Sequence, residues 1–202
     1  MDFDVLIIGG GAAGMSCALV LGSGLNKSFA ENRKVGILMH QRASHLQDAL
    51  FNNVLGLAAG TTGREILEFG PKQLKETYPE VAQIYSEKVS EISFLDTGFE
   101  VITNKNSYTA EIIVVAAGYT DLLRIKGLEK FIIPHKKSKI SKNRIQLQNE
   151  DHLVAPGLYV AGTLAGWRSQ YAIACGSGAS AATDILTAWN NGEHVKVHDK
   201  LK

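Results

Sequence analysis

Apolar residues crowd into three short unbroken runs, Asp4–Ile8 after its first residue, Val35–Met39 and Leu158–Ala161. A run that is apolar at every position has both faces buried, which marks a strand inside a parallel sheet. Between the first two runs, Ala12–Leu21 is rich in good helix formers and predicts a helix. Polar Asn26–Arg33 follows as a connection. Strand, helix and strand make a βαβ unit, which is almost always right-handed. Elsewhere the period is two. Val89–Leu95, Phe99–Thr103 and Tyr108–Ile112 alternate, separated by Asp96-Thr97-Gly98 and Asn104-Lys105-Asn106. That pattern predicts a three-stranded antiparallel meander. Ile113–Ala116 is a separate apolar run that leads into Gly118, and Val81–Tyr85 is a short strand candidate.

Helical spacing returns at Ile66, Leu67, Phe69, Leu74 and Tyr78, predicting an amphipathic helix over Arg64–Tyr78. Pro71 lies inside it and predicts a break or kink. Gln41–Gly60 has no period and reads as a long loop. Ser169–Trp189 predicts a long C-terminal helix whose interior glycines, Gly176 and Gly178, imply close packing on a neighbour or a ligand. The expected fold is α/β: a doubly wound, Rossmann-like FAD/NAD(P)-binding domain with a three-stranded antiparallel meander.

Composition narrows the function classes. The chain has 202 residues, 45% hydrophobic and 20% charged, enough to bury one substantial core. A formal net charge of +1 gives no overall field for nucleic acid or membrane, and neither is expected as a partner. Val5–Asn26 carries no charge, but it is dense in glycine and preceded by Asp2 and Asp4, unlike a secretory leader or membrane span. Cys17 and Cys175 form neither a CxxC pair nor a metal-ligand cluster. No metal is expected, and a reducing, cytoplasmic setting is. Cys17 reads as core, and Cys175 either as an inert buried thiol or as a group approaching a cofactor. The stretch Lys136–Arg144 is basic without an acidic residue. It reads either as a solvated loop or as a docking patch for an acidic partner.

Gly9, Gly11 and Gly14 satisfy GxGxxG, between a strand and a helix as the dinucleotide fingerprint requires. Gly9 permits the tight turn, Gly11 lets backbone approach a pyrophosphate, and Gly14 lets helix and strand close up. With Ala12 and Ala13 they open a helix whose free amides attract phosphate. The fingerprint's acidic residue at the end of the second strand is replaced by His40, followed by Gln41 and Arg42. His40 or Gln41 suits a ribose hydrogen bond, Arg42 suits a 2′-phosphate and hence NADP, and His40 as a plain surface residue stays open.

Over nearly its whole length the chain resembles the thioredoxin reductase family. The resemblance rests on DVLIIGGGAAG (Asp4–Gly14), Asn53-Val54-Leu55-Gly56, Val114-Val115-Ala116-Ala117-Gly118, and Ala155-Pro156-Gly157-Leu158-Tyr159-Val160-Ala161-Gly162-Thr163. It ends with Ser169-Gln170-Tyr171-Ala172 and Gly176–Ala182. It implies an FAD domain in which Gly9–Gly14 hold the pyrophosphate and Val89 meets the adenine through its backbone. Asn53 would lie near the flavin and ribityl chain, Gly162 and Thr163 at the ribityl chain, and Gln170, Tyr171 and Ala172 at the pyrimidine edge of the ring. Ala116-Ala117-Gly118 is similar to the family's Ala-Thr-Gly, with Ala117 in place of threonine. Trp167 and Tyr171 either cover the flavin or are ordinary aromatics.

Three departures limit the resemblance. Thr163 stands where the family has aspartate, a neutral and weaker hydrogen-bond partner. The stretch from Gly118 to Gly162 is too short for the nicotinamide-binding domain that the family inserts there. The family's CxxC, carried by that domain, is missing. The expectation is therefore one FAD domain over residues 1–202, with 1–118 and 145–202 as the halves of the dinucleotide site and 119–144 as a short connection. Its expected role is a flavoprotein oxidoreductase, not a working thioredoxin reductase. Electrons would come from a diffusible donor or a partner protein, with a redox partner or a second copy over the exposed flavin face. A non-catalytic FAD sensor or assembly module, and an NADP-binding protein, are the alternatives.

Overall fold

The computed structural model describes residues 1–40, 44–120 and 125–197. In chain order the elements are β1 (Phe3–Ile8), α1 (Ala12–Gly24), β2 (Val35–Met39), β3 (Leu50–Phe51), β4 (Thr61–Thr62), α2 (Gly63–Thr77) and β5 (Ala82–Tyr85). Then come β6 (Val89–Phe94), β7 (Phe99–Thr103), β8 (Ser107–Val115), β9 (Ile132–Pro134), β10 (Ile145–Leu147), β11 (Leu153–Ala155), β12 (Leu158–Val160) and α3 (Tyr171–Trp189).

The main sheet has eight strands, ordered β11-β12-β8-β1-β2-β5, with β7 and β6 branching from β8. The pairs β12/β8, β8/β1, β1/β2 and β2/β5 are parallel. Alternate side chains of β1 serve two cores. Val5 and Ile7 pack with Cys17, Leu21, Leu74, Ile185 and Leu186 of the helical layer. Leu6 and Ile8 pack with Ile92, Phe99, Val101 and Leu128 of the meander layer. A strand enclosed on both sides has no polar face, which is why β1 reads as an uninterrupted apolar run. The expected α/β fold with its antiparallel meander is the fold observed, with helices on one side of the sheet and the meander on the other.

Four local expectations are corrected. The third meander strand and the apolar run Ile113–Ala116 are a single strand, β8. Its first part pairs β7 antiparallel, and its last part lies between β1 and β12. The alternation ends where the second neighbour begins. Pro71 does not break α2, which runs continuously from Gly63 to Thr77. A capping box holds its start, with the Thr62 hydroxyl accepting from Glu65 N–H and Glu65 accepting from Thr62 N–H. The Pro71 carbonyl accepts from the Gln83 side chain at 3.0 Å. The supposed loop Gln41–Gly60 contains a 3-10 turn, His45–Asp48, and its Leu50–Phe51 end pairs with Thr61–Thr62. The C-terminal helix starts at Tyr171, with Gln170 as its cap, rather than at Ser169.

The meander's open end is tied by a buried carboxylate. Glu87 accepts hydrogen bonds from the Thr103 hydroxyl (2.7 Å), the Asn106 amide (2.8 Å) and the Tyr108 hydroxyl (3.0 Å). Burial raises its pKa, but the three donors outweigh that and hold it below the ordinary value. The ionised form therefore stabilises the fold above the unfolded pKa of about 4.3. That contribution is lost as pH falls through the lower, folded value. Glu87→Gln puts an amide among three donors. It is expected to cost about 1–3 kcal/mol near neutral pH, and to flatten the loss of stability below about pH 4.3. Denaturant titrations at several pH values check both effects.

Candidate functional site

The glycine turn follows from packing. Gly9 has φ +117°, and its N–H donates to the Leu38 carbonyl at 2.9 Å. A Cβ there would lie 2.5 Å from the Ala116 carbonyl oxygen. A Cβ on Gly14 would collide with the Gly9 carbonyl. Both glycines are thus demanded by the protein's own backbone. Gly11 differs: its backbone is extended, and a Cβ there would meet nothing within 4 Å. Space has been kept over the start of α1, where the first amides have no partner inside the helix and no acidic side chain stands in the first turn.

The second half of the site is brought against that same start. Gly162, at φ +75°, would place a Cβ 2.9 Å from the Cβ of Ala13, and a Cβ on Gly178 would strike the Ala13 carbonyl. The turn Gly162–Ala165 and helix α3 therefore close on the first turn of α1. Of the two interior glycines of α3, Gly178 serves this packing and Gly176 faces open space. The Gln170 side chain accepts from Ile173 N–H at 3.0 Å, so it is engaged in capping. The amides of Tyr171 and Ala172 have no partner within the helix. Tyr171 packs on Phe51 with ring centroids 5.0 Å apart, bringing the β3–β4 loop and exposed Asn53 to this end of α3. Burial, then the hydrogen-bonded Cys175 thiol, push the Tyr171 hydroxyl above its ordinary pKa, so it stays a neutral phenol. Cys17 is fully buried in the core. A cavity of about 140 Å³ opens between Gly10, Gly11 and Ala12 of the turn, Leu67 of α2, and Tyr171. That volume takes a fragment of a dinucleotide, leaving the remainder to the crevice that open α/β sheets form beyond the carboxyl ends of their strands.

Other expected residues sit around the rim. Ala117 and Gly118 follow β8 beside Gly9, and a Cβ on Gly118 would also meet open space. His40 is exposed at the end of β2. The Met39 carbonyl beside it accepts from Ser86 N–H, so the Glu87–Val89 segment passes the same edge, with Val89 buried. Gln41 and Arg42 lie outside the described residues. The Thr163 carbonyl is held by His135 Nε2 at 3.1 Å.

Sequence reasoning missed His152 and Ser177. Ser177 Oγ accepts from Gly162 N–H at 2.8 Å and meets His152 Nε2 at 2.8 Å. His152 is buried, which lowers its pKa, and stacks on Trp167 at 5.7 Å between centroids and 9° between planes. This chain fixes the Gly162 turn. The only sequence signal was a serine between the small residues of α3.

A glycine turn at the carboxyl end of β1, an open helix N-terminus and a second loop closing beside it define a dinucleotide-binding α/β protein. The family model for pyridine nucleotide-disulphide oxidoreductases matches residues 3–200, and the chain belongs to that family. The thioredoxin reductase of Treponema pallidum (strain Nichols) is 30% identical over 121 residues, 58% of this chain and 36% of that protein. The chain thus spans little more than a third of that relative's length. Among solved structures, a thioredoxin reductase from Gloeobacter violaceus superposes with TM-score 0.70 at 17% identity, covering 100% of this chain and 99% of that one. A ferredoxin-flavin thioredoxin reductase from Clostridium acetobutylicum gives 0.68 at 18% identity, covering 94% and 98%. Among the described residues no helix is long and apolar enough to cross a membrane.

Proposed function

We propose that this chain binds FAD across the groove between the Gly9–Gly14 turn and the Gly162–Ala172 segment and works as an oxidoreductase. One observation carries the reading. Gly162 and Gly178 both close on Ala13, so the two motifs that would grip opposite ends of one dinucleotide are packed side by side. The residues fit the group: an uncapped helix start for the pyrophosphate, a kept space over Gly11, and free amides at Tyr171 and Ala172 for the ring edge. Residues 1–118 and 145–202 would supply the two halves, and 119–144 the short connection.

FAD, when bound, supplies the two-electron redox chemistry. The chain's share is orientation and electrostatics. The α1 amides balance phosphate charge. The His152–Ser177–Gly162 chain holds the ribityl-side turn. The amides opening α3 favour negative charge at the adjacent ring edge. The chain's cysteines, Cys17 and Cys175, form no CxxC, so thioredoxin reduction by an internal dithiol is not part of the reading. Electrons would arrive from a diffusible donor or a protein, as the name of the Clostridium acetobutylicum ferredoxin-flavin thioredoxin reductase indicates for that protein.

Protein purified without stripping, or incubated with excess FAD and desalted, should be yellow with a band near about 450 nm, as bound flavins are. Colourless protein after both treatments would sink the reading. Stopped-flow mixing with NADH and NADPH then asks whether either bleaches the band.

A further inference from the structure

The short connection is neither slack nor neutral. β9 and β10 pair antiparallel through Pro134–Ile145, Ile133–Gln146 and Ile132–Leu147, carrying residues 135–144 as an arm. The arm is held down at its base. Buried His135 reaches the Thr163 carbonyl, Lys136 N–H donates to Gln146 Oε1 at 2.9 Å, and the Arg144 guanidinium lies 4.9 Å over Tyr119. Its outer surface is a cluster of exposed cations, Lys136, Lys137, Lys139 and Lys142, around Ile140, which is 94% exposed. Lys137 Nζ sits 5.2 Å over the half-exposed ring of Trp167, beside exposed Arg168, so the patch runs onto the segment leading into α3. Among the described residues, no ion pair within 4.0 Å engages these four lysines. The acids nearest this patch by contact are Asp151 and Asp184, which act on His152, the ring stacked on Trp167.

Like charges gathered without ion-pair partners of their own repel one another and destabilise the compact state. An apolar tip ringed by lysines has the form of an interface, apolar at its centre and charged at its rim. Its position selects the kind of occupant. Through His135 the arm is fastened to the turn at Thr163, and through Lys137 to Trp167, both on the half of the groove assigned to the flavin end.

We propose that the 135–144 arm docks an acidic protein electron carrier, which rests on the FAD reading for its purpose but not for its contact. Each docking event would pass one electron. Two events and one proton from solvent complete the reduction of FAD to FADH⁻ and leave two carriers oxidised.

The test is a binding titration of the intact chain with a strongly acidic flavodoxin, with basic cytochrome c as the control. FAD content is measured separately in each sample. Flavodoxin should bind at low salt and bind at least about tenfold more weakly when salt rises from about 50 to about 500 mM, because screening shortens the reach of these charges. K137E/K139E/K142E at low salt should weaken it by at least about tenfold, with the far-ultraviolet spectrum and FAD content unchanged. Ile140→Ser should weaken binding without changing the salt slope. Equal binding by the wild type and the triple variant overturns the proposal, as does a preference for cytochrome c. Capture of the arm by anionic phospholipid vesicles, with flavodoxin ignored, overturns it in favour of a membrane surface. A chain without FAD that still shows arm-dependent binding sinks the flavin reading alone. A loaded chain without such binding sinks the docking surface alone.

Discussion

Gly11→Val should leave the melting temperature within a few degrees of wild type and remove FAD binding. A valine at this position keeps an extended backbone that any residue adopts, and its side chain enters space that no protein atom occupies within 4 Å of the Cβ. The cost to the fold is that of a poorer helix cap, about 1 kcal/mol or less. The cost to binding is a branched side chain where pyrophosphate must approach backbone, expected to lower affinity by at least about a hundredfold, roughly 2.7 kcal/mol. Paired measurements, a thermal melt and an FAD titration, check the claim. A variant that binds FAD normally shows that the kept space belongs to something else.

Gly178→Val should do the reverse and strike the fold. Its Cβ would meet the Ala13 carbonyl, a backbone atom of α1 that cannot swing aside. Separating α3 from α1 is expected to cost about 3 kcal/mol or more. For a chain of this size that lowers the melting midpoint by roughly 6–12 °C. Gly176→Ala, two positions earlier and facing open space, is the matched control. It should be neutral or stabilising by up to about 1 kcal/mol, since alanine is the better helix former. Equal melting temperatures for the two variants would show that the α1–α3 contact is not fixed by small residues.

The elements that were legible in the sequence are those whose pattern has one cause. β1, β2 and α1 are such elements: full burial writes an unbroken apolar run, and the turn between them must be glycine at two positions. β8 was misread because it has two causes in succession. Glu111 is exposed beside Ala110, which is buried, whereas Ile113 to Val115 are buried at every position. The change of period marks a change of neighbours, not the end of a strand. Pro71 was misread because proline propensity is local, while α2 is held by a capping box and by Leu67 and Leu74 against the core. In the site, the separate tasks of Gly9, Gly11 and Gly14 were legible from the fingerprint, whereas the contacts of Gly162 and Gly178 with Ala13 were not. Only the fold shows which atoms each one answers to: Gly9, Gly14 and Gly178 to backbone, Gly162 to the Ala13 side chain, and Gly11 to none within 4 Å. His152 could not be found from spacing, because it and Ser177 meet across a long stretch of chain at a contact made by folding.

Sharing β8 between meander and sheet sets an order of assembly. During synthesis β1 finds β2 early, but its other edge stays unsatisfied until Val115 has been made, and β8 then waits for Val160. Until Val160 has been made, the nascent chain would present an open strand edge of the kind that recruits other chains. Closing that long span, rather than forming helices, would govern how fast the protein reaches its native state.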